Sequence, residues 1–300
     1  MNKFVVYTAI VGNYDEINQP KLVDDRFDYV LFSNDISQER VGVWQVRNIP
    51  YFNEDKTRIA RWVKTHPEEL LKDYDASLWM DGSLIVRTKY VYDRFVELYS
   101  SNVYVSSMWH DQRDCVYDEA VEVVILGLEH EKVVIDWLRR LKKDKYPEHN
   151  GLFETCVLYR RHLNYRIIEL DNLWWKCINS FSRRDQLSFN YSLWKKGIEC
   201  PFFFLPKENA RNSIHIVCTT DHVGVSKPWR SFSINKKDDV LLYYYTNAGN
   251  TKIDKCRLKH MYNIATSTFI PHIIIYIYGQ YYRMKNKIRD LKRKLKKIIR

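Results

Sequence analysis

Three stretches of this 300-residue chain carry residue types whose spacing suits chemistry. In "SLWMDGSLIV" an apolar run ends on Asp81 and passes at once to Gly82 and Ser83. A carboxylate at the end of a buried strand must leave the apolar layer or meet a cation, because burying it unpaired is very costly. Gly82 permits close backbone approach and Ser83 brings a second oxygen, so the triplet can seat a divalent cation and the phosphates it bridges. Taken alone, the triplet reads equally as an Asp-Gly turn between two strands, and that is the plainer reading. In "DKTRIARWVKTHPEEL", Arg58, Arg61 and Lys64 follow at i, i+3 and i+6 on a helix that precedes the Asp81 strand. The planar fork of arginine suits paired phosphate oxygens, and a solvated basic face is the competing reading. In "YTAIVGNYDEI", Asn13 and Tyr14 follow the first strand, where an aromatic ring can stack on a base and an amide can bond its edge. A polar turn around Gly12 would look the same.

Positioning these residues falls to short elements. Strands are predicted near 3–11, 28–33, 43–47, 76–80 with 84–86, 103–108 and 152–159, from β-branched and aromatic runs bounded by polar residues or glycine. Helical periodicity falls at about 54–72, 88–100, 116–127, 129–143 and 184–196. Strands alternating with helices imply an α/β layered sheet whose strand ends face a ligand crevice. No internal repeat is visible, and no Pro-, Gly- or Ser-rich linker divides the first 230 residues. The expected division is one domain over 1–250 and a helical extension over 251–300.

Charge and cysteines narrow the class. Of the formal charge of +11, residues 283–300 supply +9, ten Lys or Arg against Asp290, so the body is nearly neutral. A nucleic-acid partner is therefore not expected, because the basic character belongs to a tail. In that tail Met284, Ile288, Leu291, Leu295 and Ile298 recur at helical spacing among lysines and arginines. Such a helix can lie in an anionic membrane surface, with a short coiled coil as the alternative. The Tyr and Ile residues of 273–282 would suit an interfacial belt. Neither an export signal nor a membrane-spanning run is expected, the longest apolar run near the C terminus being Ile273 to Tyr278. The six cysteines lie far apart without a CxxC pair, which fits reduced thiols better than a zinc site or disulfide frame.

Several segments together resemble glycosyltransferases of the GT-A fold. "SLWMDGSLIV" is similar to their strand-Asp-x-Asp motif, with Ser83 at the second acidic position. "GNYDEI" resembles the Asn-Tyr pair that surrounds the donor base in retaining family-eight transferases, and "SRRDQLSFNY" their Asp-Gln element beside the transferred sugar. "DHVGVSKPW" is similar to their His-x-x-Gly-x-x-Lys-Pro-Trp element, one residue shorter between His222 and Gly224. Over residues 4–195, "RIARWVKTHPEELLKDYDASLWMDGSL", "HDQRDCVYDEA", "GLFETCVLYRRH" and "WWKCINSFSRRDQLSF" resemble the glycosyltransferase-like domain of unknown function found in plant Golgi proteins and bacterial surface-polysaccharide clusters.

The resemblance implies a GT-A-like (Rossmann-like) mixed central sheet flanked by helices, followed by the basic amphipathic helix. It implies transfer from a nucleotide-diphosphate sugar, UDP-sugar favoured, to a surface polysaccharide or lipid-linked glycan, with retention of configuration. Donor contacts are expected from Thr8, Ala9, Asn13, Tyr14, Arg58, Arg61, Asp81, Gly82, Ser83 and Lys227, and catalytic roles from Asp185 and Gln186. Mn2+ or Mg2+ would sit on Asp81 and His222, with His215 as the fallback ligand, and Ser83 removes one carboxylate from that site. His110, Arg113, Glu154, Trp174 and Trp175 are the acceptor or sugar contacts, with Glu119 completing a polar cluster; a capped helix start and core tryptophans are the competing readings. The place expected is the cytoplasmic face of the cell membrane. A non-catalytic nucleotide-sugar- or glycan-binding relative is the alternative.

Overall fold

The computed structural model describes residues 2–110, 112–125 and 128–219. The domain boundary at 250, Lys227, His222 and the basic tail lie outside the described residues. Along the chain run β1 (Phe4–Ala9), β2 (Phe27–Phe32), β3 (Arg40–Val41), β4 (Trp44–Arg47), α1 (Lys56–Thr65), α2 (Pro67–Leu70), β5 (Ala76–Met80), β6 (Leu84–Val86), α3 (Tyr90–Ser100) and β7 (Val105–Trp109). Then follow α4 (Val116–Ile125), α5 (Glu131–Lys143), β8 (Phe153–Arg161), α6 (Tyr165–Ser180), α7 (Gln186–Lys196) and β9 (Ile216–Cys218).

The expected mixed α/β sheet is present, seven strands in the order β3-β4-β2-β1-β5-β8-β7. Strands β4, β2, β1 and β5 run parallel, whereas β8 is antiparallel to both β5 and β7. The central strands are apolar on both faces because helices cover both, as buried parallel sheets require. Alternation along β1 sends Phe4 and Val6 to the layer under α3, and Val5 and Tyr7 to the layer under α1, α6 and α7. The carboxyl ends of β1, β2, β4 and β5 share one edge, so the loop after Ala9 and the turn after Met80 open on the same crevice.

The structure differs from the sequence expectation at several elements. The helix expected over 54–72 breaks at His66, because Pro67 disfavours helical backbone in the residue before it. Helix α6 was not anticipated, although Ile167, Leu170, Asp171, Trp174, Cys177 and Ile178 are buried at helical spacing behind the Asn164 cap. Strand β9 was also missed, since its three residues become a strand only by pairing with β6. The Asp-Gly turn and the strand-end acid prove to be one feature. Asp81 N–H donates to the Cys156 carbonyl (2.8 Å), Leu84 N–H donates to the Asp81 carbonyl (2.9 Å), and the chain then leaves the main sheet as β6.

Candidate functional site

Helix α1 begins at Asp55, whose carboxylate accepts from Thr57 N–H (3.0 Å), and ends with Lys64 in its last turn. One face of the helix brings Arg61 and Lys64 over the end of β5. Lys64 is completely buried: its ammonium donates to Asp185 Oδ2 (2.6 Å) and to the Thr155 hydroxyl (3.1 Å), and stands 3.6 Å from Asp81 Oδ1. The rings of Trp79 and Trp174 flank it, with centroids 5.4 and 5.7 Å away. Arg61 Nε lies 3.1 Å from Asp185 Oδ1. Both oxygens of Asp185 thus face cations, and Thr155 donates to Oδ2 as well (2.9 Å). Burial would push this carboxyl up, but Arg61 and Lys64 outweigh it and hold it far below the usual carboxylate range.

The backbone aims these groups. The Arg160 guanidinium, fully buried on β8, holds the Lys64 carbonyl and the Tyr7 hydroxyl, and pairs with Asp171 of α6 at 2.9 Å. Trp174 donates from its indole nitrogen to the Asp185 carbonyl (2.8 Å), and Trp79 from its own to Asp81 Oδ1 (2.7 Å). Tyr14 reaches the same centre from the loop after β1. Burial and Asp15 raise its phenol, Arg184 and Arg61 lower it, and Asp81 also acts on it. Gly12 at φ +71° carries the chain into that loop, where a Cβ would collide with the Lys56 side chain. The loop after β1, the acid leaving β5 and the Asp185 cap of α7 therefore approach one another at the carboxyl end of β5.

A second network extends from α7. Gln186 donates to Glu119 Oε1 (3.2 Å), Arg113 Nε donates to Glu119 Oε2 (2.6 Å), and His110 Nε2 lies 3.7 Å from the same oxygen. Burial raises the Glu119 carboxyl, opposed by Arg113. His110 Nδ1 accepts from Arg113 N–H (3.1 Å), which folds the loop before α4 back on itself. On the opposite face of β8 from Thr155, Glu154 is buried, pairs with Arg211 and accepts from Ala210 N–H (3.3 Å). Beneath the turn, a cavity is lined by Thr8, Ile10, Asn18, Trp44, Asp81 and Gly82 among others, and the buried Thr8 hydroxyl has no hydrogen-bond partner among the described residues.

Several expected residues are placed elsewhere. Arg58 points away from Asp81; it pairs with Asp55 (2.8 Å) and donates to the Phe181 carbonyl (2.9 Å), tying α1 to the end of α6. Ala9 is buried among the residues under α1, and Asn13 is exposed at φ 52°. Trp174 is fully buried and serves the core instead of a sugar face, whereas Trp175 is half-buried and packs edge-on against Tyr51 and His66 (5.6 Å each). His215 bonds Thr88 (2.8 Å) and stacks on Tyr90 at the end of β9 remote from Ser83, which removes it as a ligand beside Asp81. The sequence did not single out Thr155, Arg160 or Arg184. Position 155 carried a signal, as a polar residue beside Glu154 ahead of the apolar run 156–159.

Among the described residues, the donor set at Asp81 does not fit a divalent cation. Ser83 faces the Cys218 sulfur, and both oxygens of Asp185 face cations. Asp81 Oδ1 already accepts from Trp79 and faces the Lys64 ammonium. A second carboxylate, Asp15, does approach the turn: a Cβ on Gly82 would lie 3.1 Å from its Oδ2. Even so, Arg61, Lys64 and Arg184 match the charges of Asp15, Asp81 and Asp185, leaving no excess negative charge for a hard cation among the described residues. Elsewhere among the described residues, Cys115, Asp118 and His149 lie close enough to share an ion. The Cys115 sulfur there already receives backbone N–H groups of Tyr117, Asp118 and His149, as a cap on α4 does.

The family model for the TOD1/MUCI70 glycosyltransferase-like domain matches residues 1–222. Among solved structures the chain is similar to WbbM, a bifunctional glycosyltransferase, at 11% identity and TM-score 0.41, over 86% of this chain and 51% of that one. It therefore spans about half the length of WbbM. It is similar also to the galactosyltransferase LgtC in complex with donor and acceptor sugar analogs, at 11% identity and TM-score 0.41, over 85% of this chain and 99% of that one. No curated protein matches it.

Proposed function

The chain belongs to the TOD1/MUCI70 glycosyltransferase-like domain family, and from that premise we propose that it transfers a sugar from a nucleotide-diphosphate sugar to a glycan acceptor. The observation that supports the reading is the proximity of Tyr14, Arg61, Asp81 and Asp185 at the carboxyl ends of the parallel strands. The Tyr14 ring stacks on the donor base, for which uracil is the favoured identity, and Asn13 bonds its edge. Arg61 and Arg184, with Lys227, hold the diphosphate and stabilise the charge that builds on it as the anomeric C–O bond lengthens. Asp185, kept ionised, faces the developing oxocarbenium ion, while Gln186 and the Glu119–Arg113–His110 network orient sugar and acceptor hydroxyls. Bond formation on the departing side retains configuration, and the leaving diphosphate oxygen takes the acceptor's proton. The acceptor is a surface polysaccharide or its lipid-linked precursor. It is met at the cytoplasmic membrane face through the basic tail, whose attraction for anionic lipid is about 1 kcal/mol per nearby Lys or Arg.

A second reading, a non-catalytic relative that binds nucleotide sugar, is favoured by one observation: Ser83 stands where the resembled motif has its second acid. Nucleotide release from a panel of UDP-, GDP- and CDP-sugars, with glycan acceptors and with or without Mn2+, separates the two. Release that depends on acceptor supports transfer. Saturable binding of a donor without any release supports the second reading.

A further inference from the structure

We infer that Lys64 is the cation of this site in place of a divalent metal, so that the nucleoside diphosphate part of the donor binds without a metal ion. The inference rests on the donor-site reading above and goes beyond it. Its basis is the position of the ammonium, which touches the two carboxylates around which the cleft is built, 2.6 Å from Asp185 and 3.6 Å from Asp81. An ammonium fully removed from water is held only where its partners replace hydration, and here Asp185, Thr155 and two indole faces do so. A divalent ion brought to Asp81 would face that ammonium across a single carboxylate.

Lys64 cannot itself reach a diphosphate, since Asp81 and Asp185 cover it. It is a positioning residue that cancels their charge, so that a doubly charged diphosphate can approach carboxylates that would otherwise repel it. Contact then falls to Arg61, whose side chain keeps 17% of its exposure, and to Arg184, which is partly exposed and acts on Tyr14 and Asp185. Guanidinium groups suit this role because their planar forks take paired phosphate oxygens. Serine at position 83 agrees with the assignment: where a lysine supplies the positive charge, the second acid of a metal motif has nothing to hold.

The test is calorimetric titration of the full-length chain with UDP, GDP and CDP, once in EDTA and once in Mn2+. The diphosphate that binds should do so with affinities in the two buffers agreeing within about threefold. Binding that is about tenfold or more weaker in EDTA overturns the inference but leaves the donor-site reading standing. No binding of any diphosphate in either buffer overturns both. Lys64→Met adds a second readout, because it leaves Asp81 and Asp185 with surplus negative charge. Its diphosphate affinity should collapse in EDTA and recover in Mn2+, whereas a purely structural role for Lys64 predicts loss in both. The wild-type comparison stands whether or not that variant folds.

Discussion

Arg61 and Lys64 keep Asp185 ionised against the effect of its burial, and Lys64 is itself fully buried. Removing one member of such a cluster strands the others. Asp185→Asn keeps the shape and deletes the charge, so denaturant unfolding at pH 7 should show a loss of about 3–5 kcal/mol. Transfer should fall about a hundredfold or more, as loss of a preorganised charge does. The pH dependence has a definite sign. A carboxylate whose folded pKa is depressed stabilises fully above its unfolded value, about 3.9, and that contribution fades as pH falls towards the folded value. The stability gap between wild type and Asp185→Asn should therefore stay level from pH 7 to about 5 and narrow only in stronger acid. At this scale the sequence was partly legible. The spacing of Arg58, Arg61 and Lys64 marked the right helix, but which of the three faces Asp81 depends on how α1 rolls against α6, and that is a tertiary fact.

Helix α6 carries the clearest lesson about elements. Its tryptophans drew a reading as sugar platforms because aromatic residues are ambiguous in isolation. The burial of positions three and four apart from Ile167 to Ile178 gives it to the core. Trp174 still serves the site, through the bond from its indole to the carbonyl of Asp185, which caps α7. Trp174→Phe removes that bond with little loss of volume, and should cost about 1–3 kcal/mol in denaturant unfolding. Its effect on transfer should exceed that of Trp175→Phe, whose ring packs against Tyr51 and His66. Assays of the two variants side by side check this. The central strands were readable because continuous apolar runs suit a sheet covered on both faces. Two-residue β3 and three-residue β9 were not, since so short a strand is defined by its partner and not by its own pattern.

Over the whole molecule, distant segments meet at the carboxyl end of β5: the loop after β1, helix α1, the turn after β5, the start of β8 and the start of α7. The sequence resemblance supplied their chain order, and the sheet places their ends together. Residues 283–300 add a separate property, a net charge of +9 on an otherwise nearly neutral chain. The full chain should bind vesicles containing anionic lipid, the binding should weaken steeply with added salt, and deletion of 283–300 should abolish it in a sedimentation assay. The account as a whole stands on the cleft being the donor site, and Arg61 and Arg58 separate that claim from a general effect of charge. The direct measurement is thermal shift of wild type, Arg61→Gln and Arg58→Gln with a panel of nucleotide sugars, each compared with its own ligand-free melting temperature. The account predicts that a donor raises the melting temperature of wild type and of Arg58→Gln, and that the rise vanishes in Arg61→Gln. A rise that survives intact in Arg61→Gln, or one lost equally in both variants, would contradict it.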